Sequence, residues 1–130
     1  MPPCPAMGSN CQTSALFLQG MHHPEHSDTI VAMATPQGIG AISVIRLSGA
    51  DAITIADAAF RGANLAQQPT HTLHFGILHD DGRIIDEVLV SLFIAPQSFT
   101  RENAVEISCH GSPVVVKEII KVLLKKGARL

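Results

Sequence analysis

Two β-rich runs, Leu73–His79 and Ile84–Ile94, stand on either side of Asp80-Asp81-Gly82-Arg83. A short turn that carries Gly joins antiparallel neighbours, because its central residues need a positive φ that Gly adopts freely. The second run is apolar at both parities (Val88, Val90 and Leu92; Leu89 and Phe93), which predicts a central strand covered on both faces. Upstream, Thr29–Ala34 is β-branched and apolar and reads as a first strand that stops at Thr35-Pro36-Gln37-Gly38-Ile39-Gly40. Ala41–Leu47 is β-rich again. Strict alternation puts Ile42, Val44 and Arg46 on one face and Ala41, Ser43, Ile45 and Leu47 on the other. Ala104–Cys109 reads as a further short strand after a loop over Ala95–Asn103.

Two helices are expected. Ser48-Gly49-Ala50-Asp51 fits a capping box, Ala50–Phe60 is Ala-rich, and Gly62 stands where a helix C′ residue belongs. The second helix has the sharper pattern. Ser112 suits the cap and Pro113 the first helical position, while Val116, Ile119, Ile120 and Leu123 follow the i, i+3, i+4, i+7 rule up to Gly127. Lys117, Lys121 and Lys125 line its other side, which reads as a solvated face of an amphipathic helix before it reads as a grip on RNA. The expected class is α/β (α+β), a mixed β-sheet with flanking helices.

At 130 residues and 13.8 kDa the chain has room for one domain, and 46% hydrophobic residues make it too apolar for disorder. Residues 1–27 carry Pro2, Pro3, Pro5, Gly8, Gly20 and Pro24 without a sustained period and read as a leader or extension, with Met21 a second candidate start. Residues 28–130 form the expected domain, and the end three residues after Gly127 reads as an interruption. No apolar run approaches the ~20 residues of a membrane span. No Lys or Arg precedes Arg46, so an export signal lacks its basic start. Cys4, Cys11 and Cys109 then read as reduced thiols in a cytoplasmic protein. A net charge of −2, with no Trp or Tyr, argues against a generic nucleic-acid grip.

Few motifs carry chemistry. Gly38-Ile39-Gly40 follows a strand, but a dinucleotide fingerprint needs a helix next, and the following segment is β-patterned. The phosphate-gripping G-x-x-x-x-G-K-[ST] pattern does not occur. His71, His74 and His79 alternate across a strand, and no spacing supplies four converging metal ligands. Arg46 and Glu106 are better candidates, since each interrupts an apolar strand, where a charge needs a partner, a ligand or water. A strand-held carboxylate accepts two parallel hydrogen bonds from the N–H and NH₂ of an amino-pyrimidine edge, and the Arg fork suits a carbonyl or carboxylate of the same ligand. The simpler reading has both side chains on solvent faces of edge strands, or paired with each other.

Several segments occur in order: Asp28-Thr29-Ile30-Val31-Ala32, Ala34-Thr35-Pro36-Gln37-Gly38-Ile39-Gly40-Ala41-Ile42, Val44-Ile45-Arg46-Leu47-Ser48-Gly49, Ser98-Phe99-Thr100 and Val105-Glu106-Ile107-Ser108-Cys109-His110-Gly111. As a set, over Asp28–Leu130, they resemble the N-terminal domain of the tRNA uridine-modification GTPase family, MnmE or TrmE. The resemblance implies a domain similar to the folate-binding domain of aminomethyltransferases, which dimerises and binds formyl-tetrahydrofolate. It carries folate contacts over to Arg46 and Glu106, and implies a third from a Lys in a downstream A-F-L-N-x-K segment that this chain does not reach. Complete members would use GTP, magnesium and potassium in a separate GTPase domain and, with an MnmG partner, modify the wobble uridine of tRNA.

Two departures from the family pattern matter. Thr100-Arg101-Glu102-Asn103 replaces Thr-Gly-Glu-Asp, where an Arg would oppose a left-handed turn, and Ser112 replaces a second Gly. The rival expectations are an interaction or dimerisation domain that has lost folate, and a self-contained one-carbon transferase using His110 or Glu106 as acid or base.

Overall fold

The computed structural model describes residues 28–38, 40–98 and 101–130. The expectations placed on the leader, including Cys4 and Cys11, and on Ile39, Phe99 and Thr100 lie outside the described residues.

The strands are β1 (Ile30–Met33), β2 (Ile42–Ser48), β3 (Phe60–Arg61), β4 (Thr72–Asp80), β5 (Arg83–Phe93) and β6 (Ala104–His110). Helix α1 (Ala52–Ala59) follows β2, a 3₁₀ turn (Leu65–Gln67) precedes β4, and α2 (Pro113–Lys125) follows β6. The six strands form one sheet in the order β1-β2-β6-β5-β4-β3. The α+β class stands, with every pairing of named strands antiparallel. The parallel part of the expected mixed sheet is a single bridge between Ile30 and Arg129.

The hairpin forms as its turn demands. Asp81 (φ 49°) and Gly82 (φ 89°) are both left-handed, the signature of the two-residue turn whose twist matches its strands. Alternation in β2 is also as expected: Ser43, Ile45 and Leu47 are buried and Ile42 is exposed. The same parity rule buries Val105, Ile107 and Cys109 in β6 and Val88, Val90 and Leu92 in β5. These residues share one core with Ile55, Ala56 and Ala59 of α1 and Val116, Ile119, Val122 and Leu123 of α2. Both helices therefore cover one face of the sheet. The expectation that β5 is covered on both sides is corrected, because Leu89 is 40% exposed on the other face. That open face carries a row of apolar side chains on alternate positions without a second layer.

Helix ends show where local reading succeeds and fails. At the end of α2, the Ala128 N–H donates to Leu123 O and the Gly127 N–H to Leu124 O, with Gly127 at φ 118°. This is the paired-bond Gly closure expected of a C′ glycine. At the start of α2, Ser112 holds the cap position, but its side chain makes no capping bond. In α1 the expected Ser48 cap is wrong: Ser48 belongs to β2, and its hydroxyl donates to Glu102 Oε2 at 3.2 Å. The N-cap is Asp51, whose side chain makes no capping bond and whose backbone N–H donates to Thr29 Oγ1 at 3.0 Å. Gly62 is no C′ residue either, since α1 stops at Ala59 and Phe60 is already extended. A Cβ at Gly62 would lie 2.8 Å from the Phe60 ring, so its smallness serves packing.

The Gly38-Ile39-Gly40 segment falls in the connection between antiparallel β1 and β2, and no helix follows it. Gly40 has a structural task. Its N–H donates to Gly111 O at 3.1 Å, and a Cβ on Gly111 would lie 2.0 Å from Gly40 O. The bare Cα of Gly111 lets this loop lie against the turn between β6 and α2, whereas a Cβ on Gly40 would meet nothing nearer than Ile42 O at 3.9 Å.

Candidate functional site

Arg46 and Glu106 are 60 residues apart in sequence, yet the β2–β6 register makes them direct cross-strand partners. Even-numbered positions of both strands point away from the helices, so both side chains stand on the open face. Neither strand is at an edge. Their side chains are 42% and 27% exposed. They pair with each other, as the simpler reading allowed: Arg46 Nε donates to Glu106 Oε2 at 3.1 Å, and Nη2 donates to the same oxygen. Both donors converge on one carboxylate oxygen. Among the described residues, Glu106 Oε1 and Arg46 Nη1 make no hydrogen bond, so each partner keeps polar capacity for something else.

The register spells out the surroundings. Ala32, Arg46, Glu106, Ser91 and Leu73 form one row across five strands. In the next row Val44, Ser108, Leu89 and Phe75 are aligned. Phe75 is 66% exposed, and Ile42 and Leu73 are similarly open. A shallow hollow of about 190 Å³ lies here, lined by Ile42, Phe75, Glu87, Leu89, Ser108 and His110 among others. A charged pair thus sits beside an apolar platform on a rigid sheet.

His110 ends this face in an arrangement that sequence reading missed. Asp86 accepts from the His110 backbone N–H at 2.8 Å through Oδ2, and its Oδ1 lies 2.7 Å from His110 Nδ1. Asp86 and His110 come from separate strands, so only the register reveals them. The apolar platform could have been found in advance, since Leu73, Phe75 and Ile77 share one parity of β4 while buried Gly76 and Leu78 share the other.

The remaining histidines do not converge. His71 lies before β4 and packs edge-on against Phe93 with ring centroids 5.4 Å apart. His74 Nε2 lies 2.8 Å from Thr72 Oγ1, and His79 Nδ1 is buried without a partner among the described residues. Among the described residues no three His, Cys, Asp or Glu side chains are placed to hold a metal ion. Cys109 is a free thiol in the core, 3.5 Å from Ser43 O, and burial pushes its pKa up to about 11. Lys125 does lie on the wet side of α2, where it reaches Asp80 at 2.7 Å. That contact raises the lysine pKa and lowers that of Asp80. No helix among the described residues is long and apolar enough to cross a membrane.

The segment that departs from the family pattern sits beside this face. Arg101 has φ 62°, so the position is left-handed, as a Gly there would prefer. Asn103 Oδ1 accepts from the Ala95 N–H at 2.9 Å, and Asn103 O accepts from the Gly49 N–H at 2.9 Å. Asn103 thereby ties the β5–β6 loop to the end of β2.

Comparison with known proteins agrees with this domain. The family described as GTP-binding protein TrmE N-terminus matches residues 29–130. A tRNA modification GTPase MnmE from Cytophaga hutchinsonii is 60% identical over 104 residues, covering 80% of this chain and 23% of the relative. Proteins of the same name from Flavobacterium johnsoniae and Lactococcus lactis subsp. cremoris are 51% and 50% identical, over 81% and 79% of this chain. The chain spans under a quarter of the length of these relatives. It belongs to the TrmE N-terminal family and corresponds to the N-terminal domain of the tRNA modification GTPase MnmE.

Proposed function

We propose that the open face binds a reduced one-carbon folate, formyl-tetrahydrofolate, with Arg46 and Glu106 at its pteridine end. The domain, residues 28–130, then serves as the folate-binding and dimerisation module of a tRNA modification GTPase. The observation that carries this reading is the cross-strand placement of the two charges on one uncovered face, each with unused polar capacity. A pterin edge offers an N–H beside an NH₂, which a carboxylate accepts in parallel. The guanidinium donates to the ligand's carbonyl side. For both to engage, the ligand must insert between partners that now bind each other, so the ion pair acts as the latch that the folate displaces. The apolar platform of Phe75, Leu89 and Val44 supplies area for a flat ring and, beyond it, for a second copy of the domain.

In a complete protein this module would present its folate to a shared reaction with an MnmG partner at the wobble uridine of tRNA, while GTP, magnesium and potassium belong to a separate domain. A cytoplasmic setting goes with that role.

Calorimetric titration with tetrahydrofolate of the wild type, Arg46→Ala and Glu106→Ala tests the assignment. Each substitution should weaken binding by tenfold or more, matching a lost charged hydrogen bond of about 2 kcal/mol. Equal affinity across the three proteins removes the ligand from this face. A second reading, a dimerisation domain without folate, is favoured by Arg101 in its left-handed position beside the site. It predicts no heat of tetrahydrofolate binding in any variant, together with a dimer in sedimentation.

A further inference from the structure

Displacing the Arg46–Glu106 pair, as the folate reading requires, strips Arg46 of its counter-charge. In the free protein Glu106 neutralises Arg46 through Nε and Nη2. A pterin that takes the Glu106 carboxylate offers Arg46 only a neutral carbonyl in return. Ligand, and the second copy beyond it, would then cover an unpaired guanidinium, and a covered charge without a partner is far costlier than one left in water. A second carboxylate within reach of Arg46 removes that cost.

Glu102 is so placed. Ser48 stands two residues beyond Arg46 on the same face of β2, so the two positions are about 6.5–7 Å apart. The Ser48 hydroxyl donates to Glu102 Oε2 at 3.2 Å, which brings the glutamate to the Arg46 end of the open face. Glu102 is half-buried. Among the described residues, its carboxylate has that one neutral donor and belongs to no ion pair. Its backbone is held in place: Ser98 Oγ donates to Glu102 O, and Asn103, the next residue, is bonded to Ala95, Gly49 and Ala50. Arg46 Nη1, for its part, makes no hydrogen bond among the described residues. A partly buried carboxylate without a cation thus lies beside a guanidinium with an unused edge.

We infer that Glu102 is a positioning residue that receives Arg46 when a pterin occupies Glu106. One edge of the guanidinium turns to the ligand carbonyl and the other to Glu102. This exchange rests on the folate reading above and gives its bound state an ion pair of its own. Arginine suits it, because the planar group carries five N–H donors and stays charged throughout. The opposite end of the face does not serve. There Asp86 is taken by His110, whose cross-strand partner Ile42 is four residues from Arg46, about 13 Å along the strand.

Calorimetric titration of the 130-residue chain with tetrahydrofolate tests the exchange as a double-mutant cycle on Arg46→Ala and Glu102→Gln. Glutamine keeps the shape and the bond from Ser48 and removes only the charge. Alone, Glu102→Gln should weaken binding about tenfold, the scale of one charged hydrogen bond. In the Arg46→Ala background it should change nothing, because Glu102 acts only through Arg46. Ser48→Ala, which loosens the glutamate but leaves its charge, should weaken binding less than Glu102→Gln, and a greater loss overturns the inference. Unchanged binding in Glu102→Gln, with Arg46→Ala and Glu106→Ala both weakened, overturns it and leaves the folate reading standing. Equal losses from Glu102→Gln in both backgrounds overturn it too, since Glu102 would then touch the ligand or act through the fold. If no substitution weakens binding, the ligand is not on this face and both readings fall.

Discussion

The two faces of the sheet are built from the same strands by the same alternation, yet they obey different rules. On the helix side, Leu47, Ile107, Val90 and Ile119 are wholly buried in one continuous core. On the open side, the neighbouring positions in sequence hold Arg46, Glu106, Phe75 and Leu89, all wholly or partly exposed. Stability is concentrated on the first face, and the groups free to meet a partner on the second. A strand residue one step along the chain changes from structural to functional because the pleat turns it over.

Truncation in the covered layer should break this contrast most strongly. Ile107→Ala should cost about 3–4 kcal/mol in chemical denaturation, since it empties a fully buried site among both helices. Its neighbour change, Phe75→Ala on the open face, should stay within about 1 kcal/mol; equal losses would mean that the open face is covered in solution. Gly111→Ala should come next, at about 2–3 kcal/mol, because its Cβ meets the Gly40 carbonyl rather than a flexible side chain. A smaller loss would show that the Gly40 loop can lift away.

The thiol of Cys109 sharpens the comparison through pH. Its folded pKa, about 11, lies above its ordinary value of 9.0, so the fold favours the protonated form. Stability from this group is complete below pH ~9 and declines as pH rises toward 11, by about 2 kcal/mol at the upper end. The stability gap between wild type and Cys109→Ala should therefore narrow over that window. A constant gap would mean that the thiol reaches water.

The Arg46–Glu106 pair should behave oppositely to the core. Either alanine variant should change folding stability by no more than about 1 kcal/mol, as expected for a partly exposed pair, while tetrahydrofolate titration changes tenfold. Arg101→Gly should give the smallest effect, a gain of about 0.5–1 kcal/mol from relieving the left-handed backbone. No gain in thermal melting would mean that the Arg side chain repays that strain through contacts of its own.

Features governed by a few consecutive residues were legible from the sequence. Asp81-Gly82 specified its hairpin, Gly127 its helix end, and the alternation of Ile42–Leu47 told which side of β2 faces the core. The family motifs led to the same two charges that the pattern of interrupted apolar strands had singled out. Apart from the Ser112 side chain, which makes no capping bond, the failures involved partners distant along the chain. Ser48 looked like the cap of α1, but Asp51 holds that place and its N–H is met by Thr29, which the pairing of β1 with β2 brings to the helix start. β5 looked doubly covered because its parities are both apolar, and nothing local states that both helices choose one face.

Alone, the amino-acid order determined both helices and five of the six strands, where they turn and which of their faces is apolar, because turn dihedrals, caps and side-chain periodicity act within a few residues. β3 reads locally as the end of α1, since Phe60 becomes a strand only by pairing with Leu78. Tertiary structure decided which strands became neighbours and in what register. It thereby set Arg46 against Glu106, joined Asp86 to His110, laid Gly111 on Gly40 and brought Glu102 to Ser48. Such pairings depend on packing many distant segments around one shared core, and no short stretch of sequence encodes that.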